Sequence, residues 1–222
     1  MFLLNPFVFS QSGSQSGYAL NPAKVKLLLH FDGNFNDSSP NNHAMTSGGN
    51  ISIDTTDTKF GSGKLQFGDS PRNGYLRTTN NVFNFGENQP FTLCFWAKGG
   101  DGNGSFATAT PFVLAKGAYF RFRNEPPLYD NDHWIFVPVT FSSYISDWIH
   151  IAVVADGSWI KGYLNGVQQF NIPHPNWPSE NSILQFGLGF GQYNNGTLDE
   201  VLLYSEALWT ADFTPPDAPF TY

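Results

Sequence analysis

Asp147-Trp-Ile-His-Ile-Ala-Val-Val-Ala-Asp-Gly-Ser-Trp-Ile-Lys-Gly-Tyr-Leu-Asn-Gly-Val167 brings two apolar, strand-forming runs up to an Asn-Gly step. A two-residue type I′ turn needs positive φ at both central positions. Asn165-Gly166 meets that need, and Tyr163-Leu164 and Val167 have the aromatic or branched character of flanking strands. The stretch reads as a β-hairpin. Outward from it, similar short runs recur between turn signals at 25–31, 64–68, 74–78, 91–97, 111–123, 134–139, 159–164, 167–172, 183–187 and 197–204. One competing helical turn is expected, Glu206-Ala-Leu-Trp-Thr-Ala-Asp212, closed off by Pro215-Pro216.

Side chains alternate across a strand, so Phe91, Leu93 and Phe95 share one face and Thr92, Cys94 and Trp96 the other. The run 148–155 is apolar on both faces, as in a central strand covered on both sides. His150 within it is expected to be a neutral, hydrogen-bonded interior imidazole. Cys94, the sole cysteine, reads as a small buried hydrophobe, which leaves no internal disulfide framework and no cysteine metal cluster.

The pattern predicts one all-β domain, an antiparallel β-sandwich, and 222 residues suit a single sandwich. With 22 Phe, 9 Tyr and 6 Trp there is enough aromatic volume to fill the gap of about 10 Å between two sheets. Charged residues are only 13% of the chain, about half the usual share, so the surface rests on neutral polar residues of the kind that suits extracellular or virion surfaces. A net charge of −7 with no Lys/Arg cluster argues against nucleic acid as a partner. No apolar run approaches the roughly 20 residues of a membrane span, so no membrane role is expected.

Ser-Gln-Ser-Gly-Ser-Gln-Ser-Gly at 10–17 is a flexible linker by composition. It tethers an apolar arm, Phe2, Leu3, Leu4, Phe7, Val8 and Phe9, whose exposure to water is unfavourable. The arm either folds back on its own sandwich or docks on a neighbouring subunit. It lacks the basic flank of a secretory signal, and Asn5-Pro6 interrupts it, so no cleaved leader is expected. The chain divides into an arm and linker at 1–24, a sandwich at 25–212 and a Pro-rich tail at 213–222.

Seven blocks carry a family resemblance: Leu27-Leu-Leu-His-Phe-Asp-Gly33, Phe35-Asn-Asp-Ser38, Lys59-Phe-Gly-Ser-Gly-Lys-Leu-Gln-Phe67, Phe91-Thr-Leu-Cys-Phe-Trp96, Trp148-Ile-His-Ile-Ala-Val153, Tyr163-Leu-Asn-Gly-Val167 and Gly196-Thr-Leu-Asp-Glu-Val-Leu-Leu-Tyr204. In order and spacing they resemble the concanavalin A-like lectin/glucanase domains, specifically the laminin-G-like jelly rolls. The closing Ala207-Leu-Trp-Thr-Ala-Asp-Phe-Thr-Pro-Pro-Asp-Ala-Pro-Phe220 resembles the end of members encoded by tailed bacteriophages. That resemblance implies a jelly roll on a virion, and the fold by itself implies no activity.

Glycosidases flank the scissile bond with two carboxyl groups about 5–5.5 Å or about 6.5–9.5 Å apart. Asp199 and Glu200 are neighbours, so on a regular strand they point to opposite faces, and Thr197 and Val201 stand where a second acid would be needed. Asp130 and Asp132 sit in turn-forming Asp-Asn-Asp, and the EF-hand-like start at Asp101 meets Phe112 at its twelfth position instead of Glu. The five histidines show no metal-ligand spacing. Asp199 alternates with Val201 and Leu203 and is expected to face the core, where a buried carboxylate must be satisfied by a cation or by backbone N–H groups. Related jelly rolls carry structural calcium near their terminal strands, so the resemblance makes Asp32 and Asp199 the calcium candidates. Trp134, Trp159, Trp177 and Tyr193 lie in or beside turn-rich segments and are the candidates for a sugar-stacking platform.

These readings point to a non-enzymatic virion protein, a capsid decoration or cement subunit docked by its arm on other virion proteins, chiefly the major capsid protein, with three alternatives. They are a tail or fibre protein binding host-surface carbohydrate, a glycoside hydrolase, and a secreted cellular lectin. Homo-oligomerisation is left open.

Overall fold

The structure, a computed structural model, describes residues 18–68, 71, 73–83, 85, 88–99, 113–115, 118–123, 134–138, 147–174, 183–187 and 196–222, with only the backbone described between 113 and 138. The arm at 2–9, Asp101, Asp130, Asp132, Trp177 and Tyr193 lie outside them.

The described strands are β1 Val25–Leu29, β2 Met45–Gly48, β3 Ile51–Asp54, β4 Lys64–Phe67, β5 Tyr75–Thr78, β6 Phe91–Lys98, β7 Val113–Ala115, β8 Ala118–Arg123, β9 Trp134–Pro138, β10 Ile149–Ala155, β11 Trp159–Leu164, β12 Val167–Pro173, β13 Gln185–Gly187 and β14 Thr197–Tyr204. They form two sheets. One runs β12-β11-β10-β6-β14-β4-β3 with β1 also beside β14; the other runs β2-β5-β13-β7-β8-β9. Pairing is antiparallel except between β8 and β9, which run parallel. This is the β-sandwich that the periodicity predicts.

The opening hairpin forms as expected: Asn165 and Gly166 have φ of 47° and 79°, and Leu164 pairs with Val167. Asn165 does more than turn the chain. Its side-chain Oδ1 accepts the His150 backbone N–H at 2.8 Å, while its own N–H donates to the His150 carbonyl.

Two apolar layers result from the alternation. Between the sheets lie Leu27, Leu29, Phe67, Phe91, Leu93, Phe95, Leu198, Val201 and Leu203 among others. On the outer face of the larger sheet a second layer holds Leu28, Cys94, Ala152, Tyr163, Leu202, Trp209 and Phe220. The cover over this outer face is the closing segment after β14, together with Tyr18 and Leu20. Trp209 stacks on Phe213 at 4.0 Å between ring centroids and donates its Nε1–H to the Tyr18 hydroxyl. Residues 18–24 and 213–222 thus pack as part of the sandwich. Ala19 bridges Thr221 in parallel, through Leu20 N–H to Thr221 O at 2.7 Å and Thr221 N–H to Tyr18 O at 3.3 Å.

The helical turn expected at Glu206–Asp212 does not form. Its backbone groups are taken from a distance: Thr92 Oγ1 donates to the Glu206 carbonyl at 2.8 Å and accepts the Leu208 N–H at 2.9 Å. A strand hydroxyl 114 residues away in sequence outcompetes the local bonds a helix would need. The helical turn described is a 3₁₀ turn, Pro22–Lys24, capped by Asn21 Oδ1.

Candidate functional site

Among the described residues a charged side-chain cluster gathers where β1 ends and β14 begins, and a bulge in β14 builds it. Asp199 pairs with Trp96 and Leu202 with Cys94, so two residues of β14 face the single Phe95. Glu200 absorbs the extra residue with φ of 51°. Leu198, Val201 and Leu203 turn inward, whereas Asp199 shares the outer face with Trp96.

This overturns two expectations about Asp199. It does not face the inter-sheet core with Val201 and Leu203, and it does not point away from Glu200. Both premises assume a regular strand, and one inserted residue reverses the alternation. Both carboxylates lie on the outer side, at 0% and 1% exposure.

Each is held by named donors. Asp199 Oδ2 accepts the N–H groups of Lys59 and Phe60 at 2.9 and 3.2 Å, and Oδ1 accepts the Glu200 N–H at 2.9 Å. Glu200 Oε1 is 2.8 Å from His30 Nδ1, and Oε2 accepts the Phe220 N–H at 3.3 Å. Around them, Lys59 Nζ lies 3.8 Å from the Trp96 ring centroid and the Phe60 ring meets Trp96 edge-on. Asp32 accepts the N–H groups of Ser62 and Gly63 from the same loop.

The calcium candidates therefore meet one loop, residues 59–63, but each takes its backbone N–H groups. Of the two ways to satisfy Asp199, the structure shows the backbone donors. Among the described residues no three His, Cys, Asp or Glu side chains converge on a metal position.

The electrostatics follow from burial. Loss of water around Asp199 pushes its carboxyl up to about 7 against the pull of its N–H donors. The Glu200 carboxylate raises His30 above the usual imidazole value. Burial lowers His150 to about 3, so it stays neutral as expected. It differs from expectation in its bonding: neither ring nitrogen meets a hydrogen-bond partner among the described residues. The ring is held by edge-on contacts with Trp96, Trp209 and Phe213 at 5.2, 5.6 and 5.7 Å.

These shifts have opposite signs in pH. A group raised on folding, Asp199 or His30, contributes stability that is present at low pH. For Asp199 it is lost as pH rises from about 4 through about 7. His150, lowered on folding, contributes stability present above about 6.5 and lost as pH falls towards 3. Asp199→Asn keeps one acceptor for the Lys59 and Phe60 N–H groups and removes the carboxylate. Its stability relative to the parent should rise by a few kcal/mol between pH 4 and pH 8. Denaturant unfolding at several pH values measures this, and a constant difference would show that Asp199 carries no burial penalty.

Of the sugar-platform candidates, Trp159 opens β11 and is exposed at 42%. Trp134 opens β9, where only the backbone is described. The sequence shows Glu200 only as the neighbour of Asp199 and His30 only as one of five scattered histidines; their pairing, and the place of Lys59 beside them, were not foreseen. The first two stand beside the bulge, and the only available signal was their place in the Leu27–Gly33 and Gly196–Tyr204 blocks.

The two-sheet sandwich and its sequence define a lectin-type jelly roll. The chain belongs to the concanavalin A-like lectin/glucanases superfamily, whose sequence model matches residues 67–212. No curated protein sequence matches it. Among solved structures it is similar to domain 4 of AbnA, a GH43 extracellular arabinanase from Geobacillus stearothermophilus, in complex with arabinotriose. That match has TM-score 0.60 and 19% identity, and covers 84% of this chain and 94% of the other. It is also similar to the binding domain of Paraclostridial Mosquitocidal Protein 1 (TM-score 0.62, 19% identity, 85% of this chain). A third similar structure is the binding domain of Botulinum neurotoxin serotype G (TM-score 0.59, 16% identity, 83% of this chain). The chain spans about half the length of these two toxin domains.

Proposed function

We propose that this chain is a non-enzymatic bacteriophage virion protein, a capsid decoration subunit that its apolar arm fixes to other virion proteins, chiefly the major capsid protein. The observation that carries this reading is how the arm is delivered. Tyr18 and Leu20 are locked into the outer layer beside Thr221, so the segment carrying Phe2, Leu3, Leu4, Phe7, Val8 and Phe9 leaves from a fixed point on a sandwich already covered there. The closing segment with its phage-like sequence forms that cover. Burial of Asp199 and Glu200, with their oxygens engaged, supports a non-catalytic role.

Deleting residues 1–17 should leave the melting temperature of the sandwich unchanged and abolish its attachment to particles that lack the subunit. Normal attachment of the truncated protein would overturn the reading.

A second reading, recognition of host-surface carbohydrate by a tail or fibre protein, is favoured by the exposed Trp159 at a sheet rim. A glycan array carrying neutral and acidic sugars tests it, and binding to none of them would remove it.

A further inference from the structure

Strand register places Trp159 on the same rim as an open cleft. One row of the larger sheet runs from Ile160 to Ala155 to Phe91, and the neighbouring row from Thr92 to Tyr204 to Val25. One residue beyond these rows stand Trp159, Pro90, Ser205 and Lys24. The turn between Ala155 and Trp159 closes on the segment before β6: a Cβ on Gly157 would lie 2.9 Å from the Asn88 carbonyl oxygen. From β11 to β14 is three strand spacings, about 14 Å at the usual interstrand distance.

The cleft has a volume of about 530 Å³, within the range of small-ligand sites. The exposed Pro90 gives it an apolar wall, with Phe85 behind it at 3% exposure. Lys24 and Lys26 line it, with Ser205, Glu206 and Gln89. Lys24 Nζ is 3.1 Å from Glu206 Oε1, a solvent-exposed pair. Lys26 makes no ion pair or side-chain hydrogen bond among the described residues. The Ser205 hydroxyl donates to the Lys24 carbonyl at 3.1 Å, leaving its oxygen able to accept. In a chain of net charge −7, two lysines sharing one acid form a local positive site.

We propose that this rim binds an acidic oligosaccharide, with a sugar carboxylate on Lys26, hydroxyl groups on Ser205 and Glu206, and a more distant ring against Trp159. The proposal rests on the carbohydrate reading above and adds the place and the charge of the ligand. The apolar wall takes the C–H face of a sugar ring, and an unpaired ammonium selects a carboxylate over a neutral group. Glu206 moderates the site by holding Lys24.

Isothermal titration of the full chain with tetrasaccharides of galacturonan, alginate and hyaluronan, and with neutral galactotetraose, tests it. At least one acidic tetrasaccharide should bind, about tenfold or more tighter than the neutral one, and weaken as salt is raised. Lys26→Gln should lose about tenfold in affinity, Trp159→Ala a similar factor, and Glu206→Gln should gain by freeing Lys24. Equal binding of acidic and neutral sugars, with loss in Trp159→Ala alone, would overturn the acidic site and leave carbohydrate recognition standing. Binding of none of the three acidic probes would overturn the proposal, and the array then decides the broader reading separately.

Discussion

Trp209→Ala should destabilise the sandwich by about 3–5 kcal/mol, the usual effect of emptying a large buried aromatic site. Trp209 is 6% exposed and joins three partners: it stacks on Phe213, meets Tyr18 and His150 edge-on, and hydrogen-bonds the Tyr18 hydroxyl. Its loss also uncovers the outer face of β10, where His150 packs among the rings of Trp96, Trp209 and Phe213. For a chain of this size the melting temperature should fall by roughly 10 °C. Limited proteolysis should show new cleavage within 18–24 and 205–222 while β6, β10 and β14 stay protected. A drop of only a degree or two, with no new cleavage, would mean that the closing segment adds nothing to the core.

Gly166→Ala should be nearly as damaging, for a reason confined to the backbone. Gly166 has φ of +79°, and a Cβ there would lie 1.8 Å from the Phe213 carbonyl oxygen. The Phe213 N–H donates to the Gly166 carbonyl at 2.9 Å, so hairpin tip and closing segment are fastened at this point. The methyl group must push the segment away. Gly33→Ala is the control: its φ is +85° but nothing lies within 4 Å of the added Cβ. It should lose only the left-handed strain, about 1–2 kcal/mol, against about 3 kcal/mol or more for Gly166→Ala. Equal losses in chemical denaturation would show that the clash is relieved by a small shift.

Much of the fold was legible because the signals were local. Asn165-Gly166 sets its turn whatever surrounds it, and runs such as 91–97 and 197–204 announce strands by composition alone. β2 and β3 were missed because Met45-Thr-Ser-Gly48 and Ile51-Ser-Ile-Asp54 are short, partly exposed and rich in polar residues. The parallel pairing of β8 with β9 and the capture of 206–208 by Thr92 depend on groups far apart in sequence, and no local pattern encodes them.

The charged cluster was less legible for one reason. The face of Asp199 depends on a bulge, and Gly196–Tyr204 carries no glycine at the position where the chain takes positive φ; Glu200 occupies it. Parity counting fails past that residue. His30 and Glu200 consequently met in the structure without having been paired in the sequence. The rim that joins Trp159 to Lys26 likewise emerges only from register, since it brings together residues from four separate strands or their flanks.

The side-by-side course of Ala19 and Thr221 bears on how the molecule would carry a mechanical load. Because the two segments run in the same direction, opposed pulls at Tyr18 and at Tyr222 drag them past each other lengthwise. The two hydrogen bonds between them are then strained together in shear, where peeling would break them in turn. Through Tyr18 and Phe220 such a load would enter the aromatic layer that holds Trp209.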